Sequence, residues 1–250
     1  MRIRRCIAKL KNRLKINRIK EFDCIKNYFI GKTGLEIGGP SFAFSNNGYM
    51  PVYKIMGPLD GVNFSSSTVW NENDETKGFA VNGKIVGKMY IADATDLAQI
   101  KATYDFILSS NNIEHIANPM KAMEQWIAKL KSNGLLVIVA PRKEVNFDHK
   151  RKTVEFAHLL EDYNNGVDEH DLTHLDEILK LHDLPMDSPA GTFEQFKERS
   201  LKNYENRCLH HHVFDLNVLE QMCEYFKLSP VLTKEKRSDY IIVAKKTDRE

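Results

Sequence analysis

The sequence predicts an α/β fold in which helices cover both faces of a mostly parallel sheet. Through residues 33–140, short apolar segments alternate with longer connecting segments, as in successive strand–crossover–strand units. The alternation stops at residues 143–207, which are polar, acidic and helical in pattern, and it resumes from residue 213. One α/β sheet interrupted by a helical insertion explains both observations.

The chain begins with a basic amphipathic segment. Residues 1–20 carry nine Lys or Arg and no acidic side chain, whereas residues 21–250 carry 27 basic and 34 acidic side chains. Apolar side chains recur in the basic segment at helical spacing, namely at Ile3, Ile7, Leu10 and Leu14. This pattern predicts a helix that contacts an anionic membrane surface or a partner enzyme, and a solvated leader is the alternative. Because no basic track continues into the acidic body, a nucleic-acid partner is not expected.

Composition predicts a cytoplasmic location. No apolar run approaches the roughly 20 residues that span a bilayer, and no apolar stretch of a signal peptide follows the basic residues. The four cysteines are scattered without CxxC spacing, which predicts free thiols in a reducing compartment.

In the first half, the pattern predicts a helix over 22–30 and a strand over 33–38. Residues 41–57 are rich in Asn, Gly and Pro, which indicates a loop with short helical turns. A second strand is predicted over 61–64, and the alternation over 84–92 predicts a third strand.

In the second half, short apolar runs predict buried parallel strands over 104–109 and 135–139. Pro119 begins a helix between them. After the insertion, the pattern predicts a helix N-capped by Asp215. Two final strands are predicted over 228–232 and 240–244, as an antiparallel hairpin.

The segment 33–41 (TGLEIGGPS) carries the strongest functional signal. A short apolar strand runs into the paired glycines Gly38 and Gly39, where the backbone can turn tightly and approach a ligand. Glu36 lies just before this turn and could favour a cationic group. In α/β sheets, ligands bind beyond the carboxyl ends of the strands, so the motif predicts a ligand site at that edge.

Several segments together resemble class I S-adenosylmethionine (SAM)-dependent methyltransferases. They are LEIGGPS at 35–41, IADATDL at 91–97, YDFILSSNNIEH at 104–115 and SNGLLV at 132–137. The resemblance implies a Rossmann-like, seven-stranded methyltransferase sheet with an antiparallel C-terminal hairpin, and SAM as the cofactor. Together with the basic start of the chain and the polar interruption, it predicts three parts: a leader at 1–22, a SAM-binding domain at 23–142 and 208–250, and an insertion or acceptor lid at 143–207.

The resemblance also implies the residues that hold the cofactor. These are Glu36, Gly38, Gly39, Ser41, Asn63, Asp93, Ala94, Ser109, Ser110 and His115. Glu36 would favour the ammonium group and Asp93 the adenine, while Asn63, ranked above Asp60, would meet the ribose. Asp93 as a helix cap and His115 as a core or capping histidine are the alternatives. A dinucleotide is disfavoured because the third glycine of G-x-G-x-x-G is missing.

Histidines concentrate where the insertion meets the sheet. Eight of the nine lie between residues 149 and 212, with carboxylates interleaved. Methyl transfer to a hydroxyl needs a base, and histidine titrates near neutrality. His149 follows the fifth strand, and His211 and His212 return the chain to the sheet, so these three are the predicted bases. The spacings would allow a divalent metal ion, but no matched motif supports one, and none is predicted.

The histidine-rich block also resembles methyltransferases associated with bacterial surface-glycan biosynthesis. Its segments are FDHKR at 147–151, HLLED at 158–162 and CLHHHVFD at 208–215. The resemblance implies O-methylation of a sugar hydroxyl on a polysaccharide or lipid-linked glycan, at the inner membrane face if the leader binds there. The alternatives are a methyltransferase that acts on another small-molecule or lipid acceptor and a non-catalytic partner subunit with the SAM fold.

Overall fold

A seven-stranded sheet forms the centre of the molecule in the computed structural model, which describes residues 18–69 and 76–247. In spatial order the strands are β5 (Met89–Ile91), β2 (Leu59–Asn63), β1 (Gly34–Ile37), β6 (Tyr104–Ser110), β7 (Leu130–Pro141), β9 (Asp239–Lys246) and β8 (Leu228–Glu235). The first five are parallel, and β9 runs antiparallel to β7 and to β8. This arrangement confirms the predicted fold class. Residues 1–17, which include most of the predicted leader, lie outside the described residues.

Helices accompany the sheet and make up much of the interrupting segment. They are α1 (Phe22–Ile25), α2 (Pro119–Lys129), α3 (Phe156–Asn165), α4 (Leu175–Leu181), α5 (Phe193–Leu201), α6 (Asn203–Asn206) and α7 (Leu216–Tyr225). As predicted, Asp215 caps α7, and its carboxylate accepts a hydrogen bond from the Val218 N–H at 2.9 Å. Helices α3 to α6 fall within residues 143–207, whose bounds as a separate domain stay a prediction. Among the described helices, none has the length and apolarity needed to cross a bilayer.

The single strand predicted over 84–92 is wrong. Two strands occupy this stretch: β4 (Lys84–Gly87) pairs with β3 (Phe79–Val81) in a separate hairpin, and β5 joins the main sheet. The chain changes partner at Gly87, where a Cβ atom would lie 2.1 Å from the Leu59 carbonyl oxygen. Alternating hydrophobicity is common to both kinds of pairing, so the pattern could not separate them.

Alternate residues of the central strands face two different cores. On β6, Ile107 packs into the core covered by α2 and α7, whereas Phe106 and Leu108 pack into the opposite core. The opposite core is covered by residues 19–29 and by two 3₁₀ turns, Phe42–Phe44 and Val52–Lys54. These turns confirm the predicted loop with short helical segments. Helix α1 is shorter than predicted because a 3₁₀ turn follows it.

Trp126 links the core to the edge of the sheet where the strands end, and its replacement tests that link. The indole ring is fully buried, and its Nε1 donates a hydrogen bond to the Ala94 carbonyl oxygen at 3.0 Å. We expect Trp126→Ala to lower the free energy of unfolding by about 3–5 kcal/mol, since it leaves a cavity and an acceptor without its donor. Urea unfolding measures this against Ile85→Ala, whose parent side chain is 68% exposed. Equal stability of the two variants would contradict the expectation.

Candidate active site

A cleft lies beyond the carboxyl ends of β1, β2, β5 and β6. Its inner part is lined by Ile37, Gly38, Val62, Asn63, Phe64, Ala92, Asp93, Ala94, Asn112, His115, Ile116, Glu169 and Arg207. Its outer part is lined by Gly38, Pro40, Ser41, Phe42, Ala43, Tyr49, Asn63, Phe64, Ser110, Asn111, Asn112, His115, Arg207 and Asp239. Six residues, Gly38, Asn63, Phe64, Asn112, His115 and Arg207, line both parts, so the two parts adjoin.

The two glycines after β1 are required for different reasons. Gly38 lines both parts of the cleft and has a φ of +76°, a backbone conformation that residues with a Cβ atom rarely adopt. A Cβ atom on Gly38 would also lie 2.6 Å from the Asn112 Oδ1 atom. Gly39 lies behind the cleft wall, where a Cβ atom would lie 2.2 Å from the Glu36 carboxyl carbon. At Gly38, therefore, backbone without a side chain lines the cleft. At Gly39, the missing side chain leaves room for the Glu36 carboxylate.

Glu36 supports this turn from below and is not among the lining residues of the cleft. The Tyr53 hydroxyl lies 2.8 and 2.7 Å from its two carboxylate oxygens, and the Ser41 N–H donates to Oε1 at 3.0 Å. Complete burial raises the pKa of Glu36 to about 7, although these hydrogen bonds oppose the shift. A direct contact between Glu36 and a ligand ammonium group stays a prediction.

Asn63 joins the end of β2 to the glycine turn. Its Nδ2 donates a hydrogen bond to the Gly39 carbonyl oxygen at 3.1 Å, and its side chain lines both parts of the cleft. Asp60, the lower-ranked alternative, instead accepts hydrogen bonds from the Lys88 N–H and the Tyr104 hydroxyl. Asn63 is therefore the residue of this pair that lies at the cleft.

Arg207 reaches from the inserted segment across the inner part of the cleft. Its Nη1 atom lies 3.1 Å from Asp93 Oδ2 and 3.2 Å from Glu169 Oε1. Its guanidinium also lies over the ring of Phe64, 5.3 Å from the centroid. The Asp93 Oδ1 atom meanwhile accepts from the Thr95 N–H at 2.8 Å, so Asp93 caps a turn as well as facing the cleft. Arg207 was not predicted, because no local sequence pattern connects it with Asp93.

Of the histidines, His115 faces the cleft. Its Nδ1 atom lies 3.1 Å from the Leu209 carbonyl oxygen, which can only accept, so Nδ1 carries the proton. In the neutral ring Nε2 then has the lone pair. Burial first, and then the charge of His210, hold the pKa of His115 well below its usual value, so the ring is neutral near pH 7.

A charged pair stands behind His115. The His115 and His210 rings meet edge to face with centroids 4.5 Å apart, and His210 Nδ1 lies 2.5 Å from Asp148 Oδ2. Asp148 also pairs with the buried Arg151 at 3.1 Å. Burial alone would raise the pKa of Asp148, but His210 and Arg151 lower it to about 2.

The three histidines predicted as bases lie away from the lining of the cleft. The His149 Nε2 atom lies 2.6 Å from Asp183 Oδ2 on the outside of the inserted segment. His211 and His212 are buried beside a separate pocket, where their Nε2 atoms face Asn203 and Asp162 respectively. Their catalytic role stays a prediction.

Of the remaining predicted cofactor residues, three line the cleft and one does not. Ser41 and Ser110 line the outer part of the cleft, and Ala94 lines the inner part. Ser109 is fully buried one residue before the end of β6, and its hydroxyl has no hydrogen-bond partner among the described residues.

The outer part of the cleft has a polar wall. The Tyr49 hydroxyl donates to Asp239 Oδ2 at 2.5 Å, which joins the loop after β1 to the start of β9. Ser41, Asn111 and the carboxylate of Asp239 add further polar groups. Phe42, on the same wall, is 63% exposed.

Comparison with known proteins identifies the kind of molecule that carries this cleft. The methyltransferase domain family matches residues 51–204 of the chain. No curated protein matches the sequence. Among solved structures, the chain resembles a protein from Listeria monocytogenes described as an S-adenosylmethionine dependent methyltransferase. The identity is 14% and the TM-score 0.50, covering 94% of this chain and 96% of that one.

A second similar structure is an S-adenosylmethionine-dependent methyltransferase from Clostridium acetobutylicum. The identity is 9% and the TM-score 0.50, covering 90% of this chain and 88% of that one. At such identities the likeness concerns the fold, whereas the family match covers more than half of the sequence. The chain therefore belongs to the methyltransferase domain family and has the fold of SAM-dependent methyltransferases, which confirms the predicted enzyme class and its cofactor, SAM.

Proposed function

We propose that this protein is a SAM-dependent O-methyltransferase that acts on a sugar hydroxyl of a polysaccharide or lipid-linked glycan. One observation carries the proposal: the bare-backbone turn at Gly38 and the polar outer wall belong to adjoining parts of one cleft, and His115 lines both parts. A donor bound at the turn and an acceptor bound at the outer wall would meet beside this imidazole. SAM, when bound, supplies a methyl carbon made electrophilic by the adjacent cationic sulfur.

The inner part of the cleft suits the cofactor. The apolar side chains of Ile37, Val62 and Ile116 offer walls for an adenine ring, and Asp93 offers a carboxylate for its polar edge. The glycine turn leaves space for the amino-acid end of SAM, and Glu36 acts through the turn that it supports. The residues present therefore fit the cofactor.

His115 is the proposed general base, in place of His149, His211 and His212. The neutral tautomer set by the Leu209 carbonyl lets Nε2 accept the proton of an acceptor hydroxyl as the oxygen attacks the methyl carbon. The three other histidines do not line the cleft, which favours His115 for this step.

The outer wall favours a sugar as the acceptor. Hydroxyl, amide and carboxylate groups on Ser41, Asn111 and Asp239 can hydrogen-bond sugar hydroxyls, and the exposed Phe42 ring can cover an apolar sugar face. A lipid carrier for that sugar would be met by the basic segment 1–20, which is our basis for proposing a location at the membrane surface.

Substitution of Gly38 tests the cofactor site. We expect Gly38→Ala to weaken SAM binding at least about tenfold, because the added methyl group crowds Asn112 and fills the approach to the turn. Titration calorimetry measures the affinity. Gly83→Ala is the matched control: its φ of +74° gives the same backbone strain, but a Cβ atom there would meet nothing within 4 Å. Equal SAM affinity in the two variants would place the cofactor elsewhere.

Substitution of His115 tests the base. We expect His115→Ala to lower turnover by about 10²–10⁴-fold while SAM affinity stays within a few-fold, since the ring acts on the acceptor proton. Transfer of label from SAM to a panel of nucleotide-, lipid- and oligosaccharide-linked acceptors gives the turnover. His149→Ala serves as the comparison, and loss of activity in that variant alone would return the role to His149. Transfer to lipids without sugar would refute the sugar acceptor, and transfer to none of the panel would favour a non-catalytic partner subunit.

The raised pKa of Glu36 predicts a pH dependence of stability. Glu36 has a pKa of about 7 in the folded protein, whereas the ordinary pKa of a glutamate side chain is 4.5. The stabilising contribution of the bound proton is therefore full below pH 4.5 and is lost as the pH rises through 7. We expect the free energy of unfolding of the parent, relative to Glu36→Gln, to fall by about 3 kcal/mol over that interval. Urea unfolding at several pH values measures the difference in stability between the two proteins. Glu114 has a similarly raised pKa, but it is present in both proteins, so its contribution cancels in the difference. Parallel pH profiles would contradict the assigned pKa, and a large loss of SAM affinity in Glu36→Gln would favour direct contact with the ligand.

A further inference from the structure

A second group of side chains converges on one point away from the cleft. The ligand-type atoms of His158, Asp162, His174 and His212 all lie within 4.8 Å of one another. The Nε2 atom of His158 lies 3.0 Å from that of His174 and 3.3 Å from Asp162 Oδ2. The same Asp162 oxygen lies 3.1 Å from His212 Nε2. Three imidazoles and one carboxylate thus surround a single small volume.

Three separate parts of the chain supply these four groups. His158 and Asp162 are four residues apart on α3, so they share one face of that helix. His174 is the residue directly before α4, and His212 lies on the segment that returns the chain to the sheet. The local sequence could not indicate this set, because only His158 and Asp162 lie at helical spacing and the other two members come from distant segments.

The separations match those around a tetrahedral zinc ion. With zinc–nitrogen and zinc–oxygen bonds near 2.0–2.1 Å, neighbouring ligand atoms lie roughly 3.3 Å apart. Three of the six separations, at 3.0, 3.1 and 3.3 Å, are close to that value, and the others are at most 4.8 Å. Magnesium and calcium prefer six or more oxygen ligands, so a site with three nitrogens disfavours them.

We propose that His158, Asp162, His174 and His212 bind one zinc ion, which serves as a structural centre of the inserted segment. Four protein ligands complete a tetrahedral site and leave no position for a substrate, which is typical of structural zinc. His158, His174 and His212 also line an open pocket, through which the ion can enter from solvent.

The ion would fix a loop that reaches the active-site cleft. Asp162 and His174 bracket the end of α3 and the loop that follows it, residues 166–173. Within this loop Glu169 accepts a hydrogen bond from the Ala117 N–H at 2.9 Å and pairs with Arg207. Zinc bound at both ends of the loop would hold Glu169 in place at the inner part of the cleft. The site therefore acts on ligand binding through position and takes no part in methyl transfer.

Metal analysis of the full chain, purified without a polyhistidine tag from zinc-supplemented cells, tests the proposal. We expect about one zinc ion per chain, its loss in His174→Gln and in His158→Gln, and its retention in His170→Gln. His170 is the matched control because it lies four residues from His174 and is exposed, outside the cluster. Removing zinc with a chelator should lower the melting temperature of the parent, and Zn²⁺ alone should restore it, with no need for SAM or an acceptor.

Three results would overturn the proposal. The first is a parent protein that contains no zinc and takes up none from Zn²⁺ solution. The second is stoichiometric iron, nickel or manganese in place of zinc. The third is zinc that survives both ligand substitutions but is lost in His210→Gln, since Glu114, His115 and His210 form the other described group able to hold a metal ion. Because none of these measurements uses activity, a failure of the methyltransferase proposal would leave them unaffected.

Discussion

The buried carboxylate of Glu36 is the constraint on which the candidate site depends. A carboxylate without exposure to water is costly unless hydrogen bonds satisfy it, and here the Tyr53 hydroxyl and the Ser41 N–H do so. Among residues 18–69 and 76–247, Glu36 has no ion pair closer than 4.0 Å. The turn after β1 brings one of these donors, the Ser41 N–H, back to the carboxylate, and Tyr53 supplies the other.

Features fixed by neighbouring residues could be predicted from the sequence. The strand before Gly38, the helix beginning at Pro119 and the helix capped by Asp215 all depend on local pattern, turn chemistry or capping, and the structure has each of them. The hairpin of β3 and β4 was missed because alternation does not reveal a strand's partner. The sheet as a whole was predictable since its strands are short, apolar and regularly separated.

The candidate site was only partly predictable. Residues at or close after the ends of strands, such as Asn63 and Asp93, line the cleft, because parallel strands end at a common edge. The orientation of a histidine depends instead on contacts from distant segments. The Leu209 carbonyl sets the tautomer of His115 from 94 residues away, while Asp183 holds His149 on the outside. Neither contact has a signal in local sequence.

Arg207 pairs with both Asp93 and Glu169. Because Asp93 lines the cleft and Arg207 and Glu169 belong to the inserted segment, ligand binding at Asp93 affects the contacts that hold this segment. A ligand that donates hydrogen bonds to Asp93 competes with the guanidinium of Arg207, which already pairs with that carboxylate. The apparent affinity for such a ligand is lower than the cleft's intrinsic affinity by the free energy needed to displace that cation. The ion pairs that order the protein without ligand therefore lower its affinity for such a ligand. The charge of Arg207 contributes to both effects.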